Sequence, residues 1–359
     1  SNTGALGVER YAIPTQYIGD CENVETLNFL ESSLGYLLRA YGVNPGEAVI
    51  ACDLHPVYPT TSLASLRAKS RRVPLIRVQH HHAHVASVMA EHGLHLDEEV
   101  VGIAIDGVGY GVDGAIWGGE ILLSRYDGFE RKGHLEYQPM PGGDLATKYP
   151  VRMLVGILSR FLSEEEIKAL LERRGLLRGL RRGRVELRAL FKALKRGREP
   201  VTSSTGRVLD ACSALLGVCL ERTYEGEPAM KLEAYAKECG LILNVPLRDE
   251  DGRVVIETSK LFEQLVELEG KASPRELAYA FQYSLGLALG RAALRVARRG
   301  HRFIAVSGGA AVNEYIMRGI RDAIEGTSLT LIRNRRVPAG DGGVSLGQVA
   351  VAGARLLSL

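Results

Sequence analysis

The run Gln79-His80-His81-His82-Ala83-His84 is the strongest chemical signal in this chain of 359 residues. His80 and His84 lie four positions apart. On a helix that spacing sets both imidazoles on one face, within reach of one metal ion. His81 and His82 cannot share that face. Zinc-peptidase chemistry of the H-E-x-x-H type needs a glutamate as general base in the second position, and here that position is His81. Two histidines alone leave a metal under-ligated. Carboxylates at glycine turns are natural partners, because a backbone without Cβ permits close approach; Asp106 and Asp341 are such residues. Two His and two Asp suit iron or zinc, and the pattern does not choose between them.

Three glycine-rich segments are candidates to hold phosphate or nucleotide. Asp106–Gly114 (DGVGYGVDG) reads as a turn between two strands. It lacks a following helix and matches neither a P-loop nor a dinucleotide fingerprint. Ser307–Asn313 (SGGAAVN) lies between a strand and a helix, where backbone N–H groups and the helix N-terminus favour anions. Ala339–Gly343 (AGDGG) also precedes a helix.

Periodicity gives the elements that must position these residues. Leu27, Leu30, Leu34, Leu37 and Leu38 predict a helix over 24–41. Val49–Leu54 is a short apolar strand ending near Asp53, and Pro74–Val78 is a strand that runs into the histidines. His81–His92 is expected to be helical, with Val85, Val88 and Met89 on its apolar face. Val100–Ile105, Ala115–Ser124 and His134–Pro139 form a β-rich block. Residues 144–298 read as mainly helical, with a hairpin around Asp249–Arg253. The end alternates again: strand Phe303–Val306, helix from about Ala310, strand Ser328–Ile332, helix from about Val344. The expected class is α/β, with ligands at loop mouths.

Composition sets limits. A hydrophobic fraction of 46% supports packed cores and excludes global disorder. No apolar run approaches the ~20 residues that span a bilayer, and no signal peptide pattern is visible, so a cytoplasmic protein with no membrane partner is expected. The opening Ser-Asn-Thr reads as an expression remnant and is set aside from fold reasoning. The five cysteines (Cys21, Cys52, Cys212, Cys219, Cys239) form no C-x-x-C pair, which argues against a zinc finger and a disulfide framework. Net charge is +3, but residues 173–198 hold eleven Lys/Arg against one acid, Glu186. That segment is +10, and the other 34 Lys/Arg face 41 acids. It reads as a solvated basic helical excursion. Only Phe191 is interleaved for base stacking, which argues against nucleic acid.

Long segments, in order, resemble the C-terminal transferase domain of the HypF hydrogenase-maturation carbamoyltransferases. They are QYIGDCEN (Gln16–Asn23), ACDLHPVY (Ala51–Tyr58), VQHHHAH (Val78–His84), AIDGVGYGVDGAIWGGE (Ala104–Glu120), MPGGD (Met140–Asp144), SSTGRVLDACSALLG (Ser203–Gly217), YEGEPAMKLE (Tyr224–Glu233), SGGAAVN and GDGGVSLGQ. The resemblance implies an α/β, two-lobed fold like that of actin, Hsp70 and sugar kinases, with nucleotide and metal between the lobes. Residues 1–98 would form the first lobe, and 99–359 the second. It implies metal ligation by His80, His84, Asp106 and Asp341. It implies contacts to ATP, or to the AMP moiety of carbamoyl-adenylate, at Gly107, Gly109, Gly226, Glu233, Gly308, Gly309 and Asn313. Asp53, His55, Asp144, Lys148 and Arg152 stand in matching motifs as cleft residues for catalysis. The implied reaction passes a carbamoyl group to the C-terminal cysteine of a HypE-like acceptor. Rival readings are a tRNA threonylcarbamoyl transferase, a small-molecule O-carbamoyltransferase and a non-catalytic nucleotide-binding scaffold. The WGGE and DLHP motifs favour the HypF group. Two departures stand out. The upstream modules that form the adenylate are expected to come from a missing part of the protein or from a partner. The N-terminal glycine hairpin reads as shortened, with Gly4–Thr15 passing quickly into QYIGD.

Overall fold

The computed structural model describes residues 2–357. The chain opens with strands β1 (Ala5–Val8) and β2 (Tyr11–Pro14) and helix α1 (Val24–Ala40). Next come β3 (Ile50–Asp53), α2 (Pro59–Arg71), β4 (Leu75–Val78) and α3 (His80–Glu91). The central strands are β5 (Val100–Tyr110), β6 (Ile116–Ser124), β7 (Phe129–Leu135) and the short β8 (Gln138–Pro139). A helical stretch holds α4 (Leu145–Lys148), α5 (Pro150–Leu158), α6 (Glu164–Arg173), α7 (Gly183–Arg196), β9 (Val201–Thr202), α8 (Thr205–Leu215) and α9 (Glu227–Tyr235). The hairpin β10 (Leu247–Glu250) and β11 (Arg253–Ile256) precedes α10 (Ser259–Glu267) and α11 (Pro274–Val296). The chain closes with β12 (Phe303–Ser307), α12 (Glu314–Ile324), β13 (Thr330–Arg333) and α13 (Val344–Leu357).

The main sheet runs β10-β11-β7-β6-β5-β12-β13, with β9 paired to β6 and β8 to β9. Strand β5 pairs antiparallel with β6 and parallel with β12. Side chains alternate between two cores, as a period of two demands. Val101, Ile103, Ile105, Ile121, Ile304 and Val306 face the larger core under α5, α8 and α11. Val100, Ala104, Leu122 and Ala305 face the other, under α3 and α13. A sheet covered on both faces explains why Val100–Ile105 reads as one apolar run. The expected α/β class holds.

Helix α3 is buried from His80 to Met89. It lies between the sheet and α13, so its histidines are inside the protein rather than on a surface face. Helix α13 approaches it at Gly347, where an added Cβ would stand 1.8 Å from the Ala83 carbonyl oxygen. The parallel pair β3–β4 brings Asp53 beside Val78, immediately before the histidine helix.

Three expectations need correction. Asp106–Tyr110 is not a turn in this chain: β5 continues to Tyr110, and the register shifts between Ile105 and Gly109 as a bulge. Bulges insert a residue and re-aim side chains, and this one carries Asp106. The connection itself is the tight turn in which the Gly111 N–H donates to the Ala115 carbonyl. The helix after SGG begins at Glu314, preceded by a 3-10 turn over Gly309–Val312. Ser1 of the opening tripeptide lies outside the described residues. Asn2 and Thr3 belong to the fold: Asn2 bridges to Gly19, and the Thr3 hydroxyl donates to the Gly342 carbonyl at 2.9 Å. The N-terminal hairpin is formed, pairing Ala5 with Pro14 through Val8 with Tyr11.

The basic segment spans the end of α6 and α7. Its apolar residues Leu187, Leu190 and Phe191 enter the larger core. Its one acid, Glu186, is buried and ion-paired to Arg152 at 2.6 Å. Arg173 and Arg174 both pair with Glu269, Arg184 with Glu172, and Lys195 with Glu164. Among the described residues no helix is long and apolar enough to cross a membrane.

The packing of α13 on α3 is testable on one helix. Gly347→Ala should destabilise the protein by about 3 kcal/mol, because backbone must move to admit a methyl group. Gly353→Ala, in open space on the same helix, should stabilise by up to about 1 kcal/mol. Urea unfolding of both variants checks this; shifts of the same sign would contradict the packing.

Candidate metal centre

Gln79 starts α3, accepting from the His82 N–H at 3.0 Å. The helix then sets the histidines on different sides. His80 and His84 turn towards each other, Nε2 to Nε2 at 3.2 Å. Asp106 arrives from the β5 bulge, its Oδ2 3.2 Å from His80 Nε2 and 3.7 Å from His84 Nε2. Asp341 arrives from the 3-10 turn before α13, its Oδ1 3.5 and 3.7 Å from the same two nitrogens. One donor atom from each of the four residues lies within 4.8 Å of all the others. Three are buried and Asp341 is partly open.

The other side of each imidazole is occupied. His80 Nδ1 meets Asp53 Oδ2 at 2.8 Å, and the other Asp53 oxygen accepts from the His55 N–H at 2.7 Å. His84 Nδ1 faces the Ser307 hydroxyl at 3.4 Å. Each ring therefore presents Nε2 inward, as in the carboxylate–histidine arrangement that orients metal ligands. Two nitrogens and two carboxylate oxygens at such spacing fit a divalent cation of the iron or zinc type.

The electrostatics agree. Burial works against charge at every member. At His80 the hydrogen bonds from Asp106, Asp341 and Asp53 override it and hold the imidazole well above its ordinary range. His84 is likewise raised by Asp106 and Asp341. At Asp106 and Asp341 burial is overcome by the hydrogen bonds of His80 and His84, and both carboxylates are held low. The cluster thus pairs two negative groups with two imidazoles.

His81 and His82 take no part. The His81 ring fills the space left by Gly109, where a Cβ would stand 2.3 Å from the ring, and its Nδ1 meets Gln79 Nε2 at 3.1 Å. His82 Nε2 donates to the Arg125 carbonyl at 2.6 Å. Burial pushes both down to about 4.

The candidate nucleotide residues divide. Gly308 and Gly309 sit at the cluster: the Gly309 N–H donates to Asp106 Oδ1 at 3.0 Å. Gly308 has φ 109° and an added Cβ would meet the Ile105 carbonyl at 2.1 Å, so this glycine is required by the fold itself. Gly107 lies in the bulge, held by the Ser204 hydroxyl at 2.6 Å to its carbonyl. Asn313 is buried; it caps α12 through Ile316 N and donates to Gln282 at 2.7 Å. Gly226 opens α9, and Glu233 on that helix accepts from the Glu314 N–H at 2.8 Å.

The candidate catalytic residues divide too. Asp53 joins the cluster through His80. His55 stacks on Tyr58 at 3.9 Å and meets Tyr110 edge-on at 5.3 Å. Lys148 pairs with Glu221 at 3.8 Å and Arg152 with Glu186 at 2.6 Å. Asp144 precedes α4 and makes no side-chain cap. Among the described residues no hydrogen bond or ion pair joins these last three to the His/Asp cluster.

Residue spacing did not reveal the supports. Glu120 of WGGE accepts from the N–H groups of Gly118 and Gly119, both at 3.1 Å, and from Ser203 at 2.5 Å. It pairs with Arg131, whose guanidinium stacks 3.9 Å over Trp117. This buried network and Ser204 brace the strands that carry Asp106. The WGGE and SST motifs thus have structural work beside the cluster.

Comparison with known proteins places this chain in a carbamoyltransferase family. The second subdomain of the carbamoyltransferase Kae1-like domain matches residues 102–348, and the HypF Kae1-like domain matches residues 1–91. A Cupriavidus necator carbamoyltransferase HypF homolog is 36% identical over 345 residues, 93% of this chain and 84% of that protein. A Methanocaldococcus jannaschii protein named as a probable carbamoyltransferase HypF is 37% identical over 340 residues, 93% of this chain and 43% of its own length. The crystal structure of T. kodakarensis HypF superposes with a TM-score of 0.91 at 40% identity, covering 99% of this chain and 46% of that one. Full-length HypF in its phosphate- and nucleotide-bound form gives 0.87 at 33%, covering 100% and 45%. The chain belongs to the HypF carbamoyltransferase family. It spans less than half the length of the Methanocaldococcus jannaschii relative, 43%.

The depressed His82 predicts a pH dependence. The unfolded state takes up a proton near the ordinary value of about 6.5, and the folded state only near 4. Folding stability must therefore fall as pH drops from 6.5 towards 4. His82→Gln keeps a donor for the Arg125 carbonyl and removes the titration. Its stability should fall less steeply than wild type, by up to about 1.4 kcal/mol per pH unit. Denaturant unfolding between pH 7 and 4.5 checks this; parallel curves would contradict it.

Proposed function

We propose that this chain is the transferase portion of a cytoplasmic HypF enzyme. It passes a carbamoyl group from carbamoyl-adenylate to the C-terminal cysteine of a HypE-like acceptor, a step in assembling the cyanide ligands of NiFe hydrogenase. The carrying observation is that donor atoms from α3, the β5 bulge and the turn before α13 converge within 4.8 Å. A metal bound by His80, His84, Asp106 and Asp341 would supply Lewis acidity towards the carbamoyl or phosphate oxygen. We assign residues 1–98 and 99–359 to the two lobes that enclose metal and nucleotide.

This chain's own residues orient and hold. Asp53 fixes the tautomer of His80 by accepting at Nδ1. The Gly309 N–H fixes the Asp106 carboxylate beside the SGG loop. That loop, with Gly107, Gly109, Gly226, Glu233 and Asn313, is assigned to seating the adenylate, where backbone N–H groups can meet phosphate oxygens. The stacked His55 and Tyr58 form a wall beside Asp53. Asp144, Lys148 and Arg152 are assigned to a more distant part of the cleft. In the transfer itself the acceptor thiolate attacks the carbamoyl carbon, a C–S bond forms, the C–O bond to phosphate breaks, and AMP leaves. The thiol proton is lost to solvent or a nearby base. The nucleophile belongs to the acceptor, so no Ser or Cys nucleophile is required here. Carbamoyl-adenylate is supplied by a module outside this chain.

Two outcomes are expected. The His80→Ala, His84→Ala double variant should retain less than a tenth of the bound metal of wild type by elemental analysis. Full retention would remove the metal assignment. Supplied with carbamoyl-adenylate, the chain should place one carbamoyl adduct on the acceptor's C-terminal cysteine, read by mass spectrometry, and the double variant should not. Label on tRNA or on a small-molecule hydroxyl would assign the protein to a different acceptor class. Binding of nucleotide and metal without any transfer would make it a scaffold.

A further inference from the structure

Helix α3 carries more than its two histidines. Its last residue, Glu91, stands seven positions beyond His84. Two turns of helix separate them, so the two side chains leave the same side, about 10 Å apart along the axis. The Glu91 carboxylate gathers consecutive backbone donors of one loop. Its Oε1 accepts from the N–H of Arg335 at 2.6 Å and of Arg336 at 2.7 Å, and its Oε2 from that of Val337 at 3.3 Å. This loop joins β13 to the turn that begins at Asp341. A second strap runs parallel to the first. Asn334 donates to Ser87 of α3 at 3.1 Å and accepts from Ser307 at 2.8 Å. Ser307 in turn touches His84 Nδ1 at 3.4 Å and the Ala339 carbonyl at 3.0 Å.

The loop has two further anchors at its ends: His92 Nε2 donates to the Arg333 carbonyl at 2.9 Å, and the Gly308 N–H donates to the Ala339 carbonyl at 2.9 Å. Arg333 ends β13, and the next regular element starts at Asp341. Backbone N–H groups pointing at an acid are strong, charge-assisted donors, and three of them on one carboxylate fix both position and direction. They draw Glu91 below the ordinary carboxylate range against the effect of its burial.

We propose that Glu91 is a positioning residue for the metal centre: it ties the loop that delivers Asp341 to the helix that supplies His80 and His84. The inference rests on the metal reading given above. Its content is that three of the four ligands are set by one helix and its carboxylate clamp, so loss of Glu91 acts through Asp341. A role confined to general stability would leave the Asp341 contribution intact.

The test is cobalt(II) binding to this chain, read by titration and by the visible absorption of the bound ion, which reports its ligand set. Glu91→Gln removes the charge and turns an amide group towards the Val337 N–H. It should weaken cobalt(II) binding about 10- to 100-fold and change the absorption band, with far-UV circular dichroism unchanged. The Glu91→Gln, Asp341→Asn double variant should bind no more weakly than Asp341→Asn alone, because both changes remove the same ligand. Should Glu91→Gln fail to fold, Asn334→Ala cuts the second strap and carries the same expectation. Wild-type affinity in the folded variant would overturn the proposal, as would losses that add to that of Asp341→Asn. If wild type binds cobalt(II) no better than the His80→Ala, His84→Ala variant, the metal reading fails and this inference falls with it. If wild type binds and only the Glu91 effect is missing, the metal reading stands alone.

Discussion

The burial of α3 is the constraint on which the rest depends. A helix with histidines at four of its first five positions is packed between a sheet and a second helix, buried from His80 to Met89. Buried polar groups must be satisfied or they cost about 1–3 kcal/mol each. Each histidine therefore has a fate fixed by direction. His82 reaches a carbonyl, His81 fills the gap above a glycine and takes the Gln79 amide, and His80 and His84 meet carboxylates. Among the described residues His80 and His84 meet partners at both ring nitrogens, whereas His81 Nε2 and His82 Nδ1 are buried without one, so the polar partners on this helix are concentrated at the metal pair.

The same constraint explains the strands around it. Asp106 can reach the histidines only because β5 bulges between Ile105 and Gly109. The bulge is braced by Ser204 on one side and by the Gly309 N–H on the other. Two carboxylates at such separation repel unless positive charge lies between them. Imidazolium can supply that charge, and so can a divalent cation, which would take the place of two protons with no change in net charge. Metal affinity in such a site should be coupled to proton release.

Parts of this are legible in the residues and parts are not. The i, i+4 pair is a local signal, and helix spacing reads it directly. Asp106 and Asp341 are legible as carboxylates at glycines, though not the reason for the glycines. Gly308 is needed for a positive φ and Gly109 for a histidine ring, which a glycine count cannot separate from ligand approach. The supports are hidden because they are non-local. Asp53 lies 27 residues from His80, Ser307 lies 223 from His84, and Glu91 lies 244 from Arg335. No periodicity links such partners. The full length of β5 is hidden for a similar reason: DGVGY has the composition of a turn, and its pairing with β6 overrides that preference. The Asp251-Gly252 hairpin is legible because both turn residues, at φ 50° and 75°, carry their own local chemistry.

The claim at the centre of this account is that four side chains from three separate parts of the chain hold one metal ion. Diffraction from crystals soaked in cobalt(II) or zinc, with anomalous data at the metal edge, tests it most directly. The account predicts a single strong anomalous peak about 2.0–2.2 Å from His80 Nε2, His84 Nε2 and one oxygen each of Asp106 and Asp341. A peak elsewhere, or none at this cluster with the metal in excess, would contradict it.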